Sequence, residues 1–456
     1  MPDTLSSYHV PPALSAPRRP RLAIVSTYDE LCGIAGYTRA LEKQLAPFVD
    51  VTIFDLDQYL LRGRHRRIQK LADAHIKDIA AQLHGFDCVN IQLEHGTLGR
   101  TVAQITRRFA RLAKAAPALS VTFHTILLNE DMPWDTVGRL LARGHVSGAG
   151  RVLSEATRAG RLSRGIQGLL RSLQAHKPVS VIVHTRRDQR MMQDLFALRS
   201  VHHHPLSFIS PEAARGLRAR TGRAVPAPFS GLPANVKFIG TFGFLSAYKG
   251  FDTAIRALEF LPPDYHLLIF GGLHPQGIRR EEPLDPYIRK LLSTAHIGQS
   301  PLEVLKESGL RLAPSGAELT ALLNDHPNTL HERVHFMGAL SDDDFFAATA
   351  QCDVAVFPYL EVGQASSGPI SIALEMGTRV IASRTAAFRA FARYHPDLIE
   401  FFDIGNFAEL ATRIQSPGRA AAVPDLRYNT ATNAAIYLEA NFLSVQKREL
   451  VACAAQ

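Results

Sequence analysis

The feature that most constrains the fold is an alternation that runs, stops and runs again. Short apolar, β-branched runs stand at 21-RLAIVST-27, 50-DVTIFDL-56, 87-DCVNIQL-93, 119-LSVTFHT-125 and 179-VSVIVHT-185. Helical patterns separate them, such as 36-GYTRALEKQLAPF-48 and 68-IQKLADAHIKDIAAQL-83. The runs are continuously apolar rather than alternating. That predicts strands buried on both faces, in a parallel sheet sandwiched by helices. The pattern restarts with 236-VKFIGTFG-243, 265-YHLLIFGG-272, 333-RVHFMGA-339, 353-DVAVFPY-359, 379-RVIAS-383 and 398-LIEFF-402. A chain of 456 residues also exceeds one ordinary core. The expected fold class is therefore α/β, with two Rossmann-like, doubly wound parallel-sheet domains facing a cleft.

The expected boundaries follow from composition. Residues 1–20 read as a disordered lead-in without the apolar core of a signal peptide. The first domain spans 21–215 and the second 230–425, joined by an Ala-, Arg-, Gly- and Pro-rich linker over 211–235. Residues 426–456 close the chain, with one or two amphipathic helices over 428–454.

Charge separates the halves. Residues 1–228 carry 32 Lys and Arg against 18 Asp and Glu, and the remainder 19 against 24. A basic half suits phosphorylated substrates, anionic lipid or nucleic acid. Nucleic acid is excluded by the lack of stacking aromatics, zinc-finger spacing or a recognition helix. No apolar run reaches the about 18 to 20 residues that span a bilayer. Four scattered cysteines without a CxxC read as reduced thiols, which predicts a cytoplasmic protein.

Ligands in doubly wound sheets bind beyond the carboxyl ends of strands. The motifs stand there. In 32-CGIAGYTRAL-41, Gly33 and Gly36 flank Ile34 and Ala35 ahead of a helix, a backbone that can approach an anion or simply turn. In 91-IQLEHGTLG-99, Glu94 and His95 follow a strand as a candidate general-base pair or an exposed loop acid. His124 ends the next strand, and His184 repeats its His-Thr pattern; both also fit satisfied structural roles. In 240-GTFGFLSAYKGFDTAI-255, Lys249 opens a helix after Gly243, and Gly271 ends the following strand. A lysine at a helix start is misplaced unless an anion joins it, or unless it is merely solvated. In 364-QASSGPISIALEMGTRVIAS-383, Ser366, Ser367, Gly368, Pro369 and Ile370 make a small, uncharged helix start. It seats a diphosphate, or Ser367 caps the helix. Glu375, two turns on, points to the cleft and takes ribose hydroxyls, or stays in solvent. The runs 342-DDD-344 and 202-HHH-204 read as a helix start and a strand, not metal sites.

Taken in order, FGFLSAYKGFDTAIRAL, LLIFGG, VHFMGALSDDD, DVAVFPYLE and QASSGPISIALEMGTRVIAS resemble the retaining glycosyltransferases of family four. The segments STYDELCGIAGYTRAL, VNIQLEHGTLG and VTFHT match the same pattern, so the likeness covers about residues 20 to 420. It implies the GT-B fold, with C-terminal helices crossing back to the first domain. It implies catalytic roles for His124, Lys249 and Glu375. Lys249 would bind the donor diphosphate, Glu375 the donor ribose, Gly33–Gly36 the phosphates, and Met337 and Gly338 the base. Gln92, Glu94 and His95 fall on the acceptor side. Two positions depart: Ser367 replaces the first of two paired glutamates, and Phe244 an arginine five residues before the lysine.

The resemblance implies sugar transfer from a nucleoside-diphosphate sugar to a hydroxyl, with retention and without metal or other cofactor. A saccharide or lipid-linked glycan would be the acceptor. The basic segments 100-RTVAQITRRFARLAK-114 and 158-RAGRLSRGIQGLLRSL-173 suit an anionic membrane surface. The rival readings are a non-catalytic nucleotide-sugar binder and a GT-B epimerase or phosphorylase.

Overall fold

The computed structural model describes residues 18–30, 32–127, 133–221, 235–273, 285–295, 330–361, 366–418 and 422–443. The lead-in through residue 17, residues 222–234 of the expected linker and the C-terminal stretch beyond 443 lie outside the described residues.

Two six-stranded parallel sheets form two lobes. The first contains β1 (Arg21–Ser26), β2 (Asp50–Asp55), β3 (Cys88–Leu93), β4 (Leu119–Phe123), β5 (Val179–Val183) and β6 (Ser200–His203), in the order β2-β1-β3-β4-β5-β6. The second contains β7 (Lys237–Phe242), β8 (Tyr265–Phe270), β9 (Val334–Gly338), β10 (Val354–Phe357), β11 (Arg379–Ser383) and β12 (Ile399–Phe402), in the order β12-β11-β10-β7-β8-β9. The eleven runs read from the sequence are all strands. The twelfth, β6, hides in the polar string 200-SVHH-203.

Burial explains the continuous apolar runs. Along β1, Ala23 and Val25 face one core with Val89, Ile91 and Val181. Leu22 and Ile24, on the other face, pack with Cys88 and Ile182. Leu22 to Ser26 of β1 are all buried, and each large aliphatic side chain so buried contributes about 1.5–3 kcal/mol. The second lobe repeats this with Ile239, Leu267 and Val356 against Phe238, Leu268 and Phe357.

The linker reading of 211–235 changes at its start. Pro211–Thr221 form a helix. Ala214 packs with Ile372 and Met376 of the second lobe, and Arg218 donates to the Met376 carbonyl at 2.8 Å. Apolar contact outweighs the loop-like composition here.

Helix Thr430–Ala440 lies on the first lobe. Its Ala434, Tyr437, Leu438 and Ala440 complete the core that holds Leu22 and Ile24. It also brings polar groups to a buried layer: Tyr437 Oη meets Thr122 Oγ1 at 3.0 Å, and Ser120 Oγ donates to Asn441 Oδ1 at 2.7 Å. Among the described residues no helix is long and apolar enough to cross a membrane.

Tyr437→Ala therefore opens a cavity in the first lobe and strands its polar layer. We expect a loss of about 3–5 kcal/mol in chemical denaturation; a loss under about 1 kcal/mol would contradict this role.

Candidate functional site

In each sheet the strand order reverses once, between β1 and β3 and between β7 and β10. Crevices form at such reversals. A cavity of about 340 Å³ lies between the lobes, lined by Cys32, Gly33, Gly36 and Arg39 on one side. Gly243, Phe244, Tyr248, Lys249, Gly271 and Ser367–Pro369 line the other.

Close backbone packing shapes the second-lobe wall. Gly271 has φ +159°, and a Cβ there would stand 1.8 Å from the Gly243 carbonyl oxygen. Gly250 has φ +64°, and a Cβ would stand 1.9 Å from the Pro358 carbonyl oxygen. Only glycine fits both positions, and the second presses the Lys249 turn against the end of β10.

Lys249 is 5% exposed and ends a 3₁₀ turn, Ala247–Lys249, not an α-helix start. Its ammonium donates to Tyr359 Oη and lies 3.9 Å from the Tyr359 ring centroid and 4.9 Å from that of Tyr248. Among the described residues no carboxylate pairs with it. Burial lowers its pKa to about 7.

Helix Gly368–Glu375 begins at the same wall, with Pro369 in its first turn. Ser367 occupies the N-cap position, yet its side chain makes no capping bond. Its Oγ instead lies 3.2 Å from Tyr359 Oη. Ser366 faces a small adjoining pocket with Glu361 and Thr385. Ile370 is fully buried in the second-lobe core, so only its backbone can face a ligand.

Glu375 departs from both sequence expectations. It neither lines the cavity nor meets solvent, being 6% exposed. The carboxylate accepts from Ser207 Oγ at 2.6 Å, Phe208 N at 3.0 Å and Ile209 N at 3.2 Å, on the segment that leaves the first lobe. That segment has no strand partner for these donors, and the carboxylate satisfies them. Burial raises its pKa to about 7 against the pull of those bonds.

The first-lobe wall also differs from expectation. The stretch Gly33–Gly36 is not a loop but the first turn of helix Gly33–Leu45, with Cys32 as its N-cap. Gly33 and Gly36 line the cavity, whereas Ala35 is buried. Across the cavity Arg39 pairs with Asp342 through two bonds of 2.6 and 3.1 Å. Asp342–Asp344 form the first turn of helix Asp342–Gln351, behind the N-cap Ser341. Among the described residues no three His, Cys, Asp or Glu side chains group closely enough to hold a metal ion. Met337 is partly buried against the second-lobe core and Gly338 accepts from Gly271 N at 2.8 Å; Ala339 and Leu340 reach the cavity instead.

His124 does not line this cavity. Its Nε2 meets Gln92 Oε1 at 2.8 Å and its Nδ1 meets His184 Nε2 at 3.4 Å. Burial holds its pKa well below the usual histidine value. Glu94 and His95 do not form a pair: Glu94 accepts from Thr125 Oγ1 at 2.7 Å, while His95 is buried, its Nδ1 without a partner among the described residues and its pKa lowered to about 4. Adjacent residues diverge once a strand ends in a 3₁₀ turn. The histidines of 202–204 also part: His202 meets Ser200, His203 meets Arg186, and His204 meets Thr432 of the C-terminal helix at 2.8 Å.

Sequence reasoning missed Tyr359, Arg39 and the Ser207–Ile209 backbone. Tyr359 carried a faint signal, a phenol just past a buried strand. The others act through contacts made by distant parts of the chain.

The fold has solved counterparts. A sucrose-phosphate synthase (tll1590) from Thermosynechococcus elongatus has a TM-score of 0.53 at 15% identity, over 96% of this chain and 98% of that one. A UDP-forming α,α-trehalose-phosphate synthase from Burkholderia xenovorans gives 0.53 at 12%, over 96% and 98%. Anabaena Alr3699/HepE, in complex with UDP and glucose, gives 0.51 at 15%, over 92% and 98%. The chain has the GT-B fold that these proteins share. No family model and no curated protein matches it in sequence.

The buried histidines give a pH prediction. His204 has its pKa lowered to about 3 by burial, far below the unfolded value of about 6.5. The folded chain therefore resists its protonation. The contribution is present above pH about 6.5 and is lost as pH falls, at up to about 1.4 kcal/mol per unit. Between pH 7 and 5, wild-type stability should drop relative to His204→Gln; parallel curves would refute the assignment.

Proposed function

We propose that this chain is a glycosyltransferase that moves a sugar from a nucleoside-diphosphate sugar to a hydroxyl acceptor. One observation carries the reading. A buried ammonium, without a carboxylate partner among the described residues, faces an inter-lobe cavity beside a helix start whose Ser367, Gly368 and Pro369 line the same wall. Such a site lacks only an anion. A leaving diphosphate supplies it, and Lys249 with the Gly368 helix stabilises the charge that develops as the glycosidic bond breaks. The structural neighbour crystallised with UDP and glucose supports a uridine donor.

Retention of configuration and metal independence belong to the same proposal. So do hexosyl transfer, a saccharide or lipid-linked acceptor, and a role in polysaccharide or glycoconjugate synthesis in the cytoplasm. Gln92, Glu94 and His95 serve the acceptor side, and His124, the histidine that the resemblance puts near the donor sugar, acts at one remove from the cavity. Glu375 is in the first instance an inter-lobe fastener in this account, and meets the ribose only if the Ser207–Ile209 segment releases it. Acceptor delivery at an anionic membrane falls to the exposed residues Arg107, Arg111, Arg158, Arg161, Arg164 and Arg171. Arg108 of the same stretch is not available, being buried, and Arg107 shares Asp73 with it, at 2.6 and 2.8 Å.

A second reading, a binder without catalysis, draws on Phe244 in the cavity wall and Ser367 at the helix start. The two readings separate in one assay. A panel of nucleotide-sugars should raise the melting point, with about 2.7 kcal/mol of stabilisation at a hundredfold excess over Kd. Release of nucleoside diphosphate from the stabilising sugar favours the transferase; stabilisation without release at any acceptor favours the binder. No stabilisation by any member removes both.

Lys249→Ala should lower transfer at least about a hundredfold, which is the order expected for loss of one preorganised charge donor. Because burial brings the lysine to about 7, wild-type affinity for the diphosphate should fall as pH rises above 7. The limit is about tenfold per unit. Unchanged affinity from pH 7 to 9 would contradict a role for the ammonium.

A further inference from the structure

The proposed function leaves unexplained why the Lys249 ammonium faces the cavity rather than solvent, and what Ser367 does at a helix start it does not cap. Tyr359 joins the two. Its phenol lies directly after β10, where the ring is wedged by Phe388 at 5.0 Å and by Phe357 at 6.1 Å between centroids. Its own carbonyl accepts from Ser383 Oγ at 2.6 Å. Ring and backbone are fixed from separate sides, so the hydroxyl has a defined place.

Hydrogen-bond chemistry then sets a direction. An ammonium only donates. Tyr359 Oη must accept from Lys249 and has one proton left to give. Ser367 Oγ, 3.2 Å away, is within reach to accept it. In that direction Ser367, 7% exposed at the cavity wall, keeps its own hydroxyl proton for a ligand. Ser371 Oγ, the neighbouring hydroxyl, lies at 3.5 Å from the Ser367 carbonyl oxygen, not its Oγ. A carboxylate at position 367 would present only acceptors to the cavity; the serine presents a donor.

We propose that Lys249, Tyr359 and Ser367 form a directional relay in which Tyr359 is a positioning residue that holds the ammonium in the cavity and turns Ser367 into a hydrogen-bond donor for an anionic oxygen of the donor substrate. This rests on the reading of the cavity as a diphosphate site and specifies how that site works. The anionic oxygen comes from the pyrophosphate or from a sugar carboxylate, and both are anionic acceptors at neutral pH. Loss of the ammonium proton releases the relay's direction, because a neutral amine can accept from Tyr359. The relay therefore donates into the cavity while Lys249 is charged.

The test is calorimetric binding of inorganic pyrophosphate, UDP and UDP-glucuronate to the full chain from pH 6 to 9. The phenols of Tyr248 and Tyr359 face the ammonium, and Cys32, Arg39 and Asp342 line the same cavity. Both phenols are raised by burial and stay neutral across this range. Arg39 and Asp342 neutralise each other, and a Cys32→Ser background removes the thiol. Tyr359→Phe keeps the ring and removes the hydroxyl. It should weaken pyrophosphate about tenfold at pH 8 and move the pH midpoint of binding downward, because the charged amine loses its acceptor. Ser367→Ala should weaken binding about fivefold without moving the midpoint, and Ser367→Thr should restore it. The double variant should fall well short of the product of the two losses. An effect on pyrophosphate and UDP alike places the Ser367 proton on the phosphates; an effect confined to UDP-glucuronate places it on the sugar carboxylate. An unmoved midpoint in Tyr359→Phe, or strictly multiplicative losses, overturns the relay. Lys249→Met separates the two levels: if it leaves pyrophosphate binding intact, the diphosphate reading itself fails.

Discussion

A lysine ammonium withdrawn from water and given no carboxylate among the described residues is the constraint on which the site depends. Desolvation disfavours the charge, and the protein answers with one phenol oxygen and two aromatic faces. Those partners hold the side chain without neutralising it. The remaining attraction is available to whatever enters the cavity. A solvated lysine would offer less, since water screens it; one paired with a carboxylate would offer little.

Chain topology puts the charge there. Reversal of strand order parts the connections on either side of β7 and β10, and the loops after both strands meet in the gap. Gly250 lets the β7 loop touch the backbone after β10, which sets Lys249 against Tyr359. The first lobe closes the other side. Helix Gly33–Leu45 reaches over to pair Arg39 with Asp342, and the segment after β6 anchors to Glu375. These two cross-lobe contacts, with the C-terminal helix returning to the first lobe, tie the halves together around the cavity. The site is thus as much a product of inter-lobe registration as of any local motif.

Much of the fold was legible in the sequence because a doubly covered parallel strand is apolar at most positions, with polar residues only where a buried partner meets them. Runs such as 119-LSVTF-123 announce themselves, whereas β6, with its histidines, does not. The site was legible only where local structure decides it. Gly33, Gly36, Lys249, Ser367 and Gly368 stand after strands, and the structure gathers them in one cavity. Glu375 misled because helical spacing fixes the side of a helix but not what packs against it. The partners that claim its carboxylate lie 166 to 168 residues away. His124 and Glu94 misled similarly: a strand end near a cleft looks the same in sequence whether its side chain meets substrate or a neighbouring glutamine or threonine. Tyr359 was passed over because a phenol at a strand end reads as packing, and its role needs the lysine and serine on either side.

The account rests on where a pyrophosphate sits. A crystal structure of the chain soaked or grown with a nucleoside diphosphate measures this directly. The account predicts phosphate oxygens within about 3 Å of Lys249 Nζ, with the N–H groups at the start of helix Gly368–Glu375 directed at the same group. A diphosphate bound elsewhere on the chain, or a Lys249 side chain turned away from a ligand occupying the cavity, would contradict it.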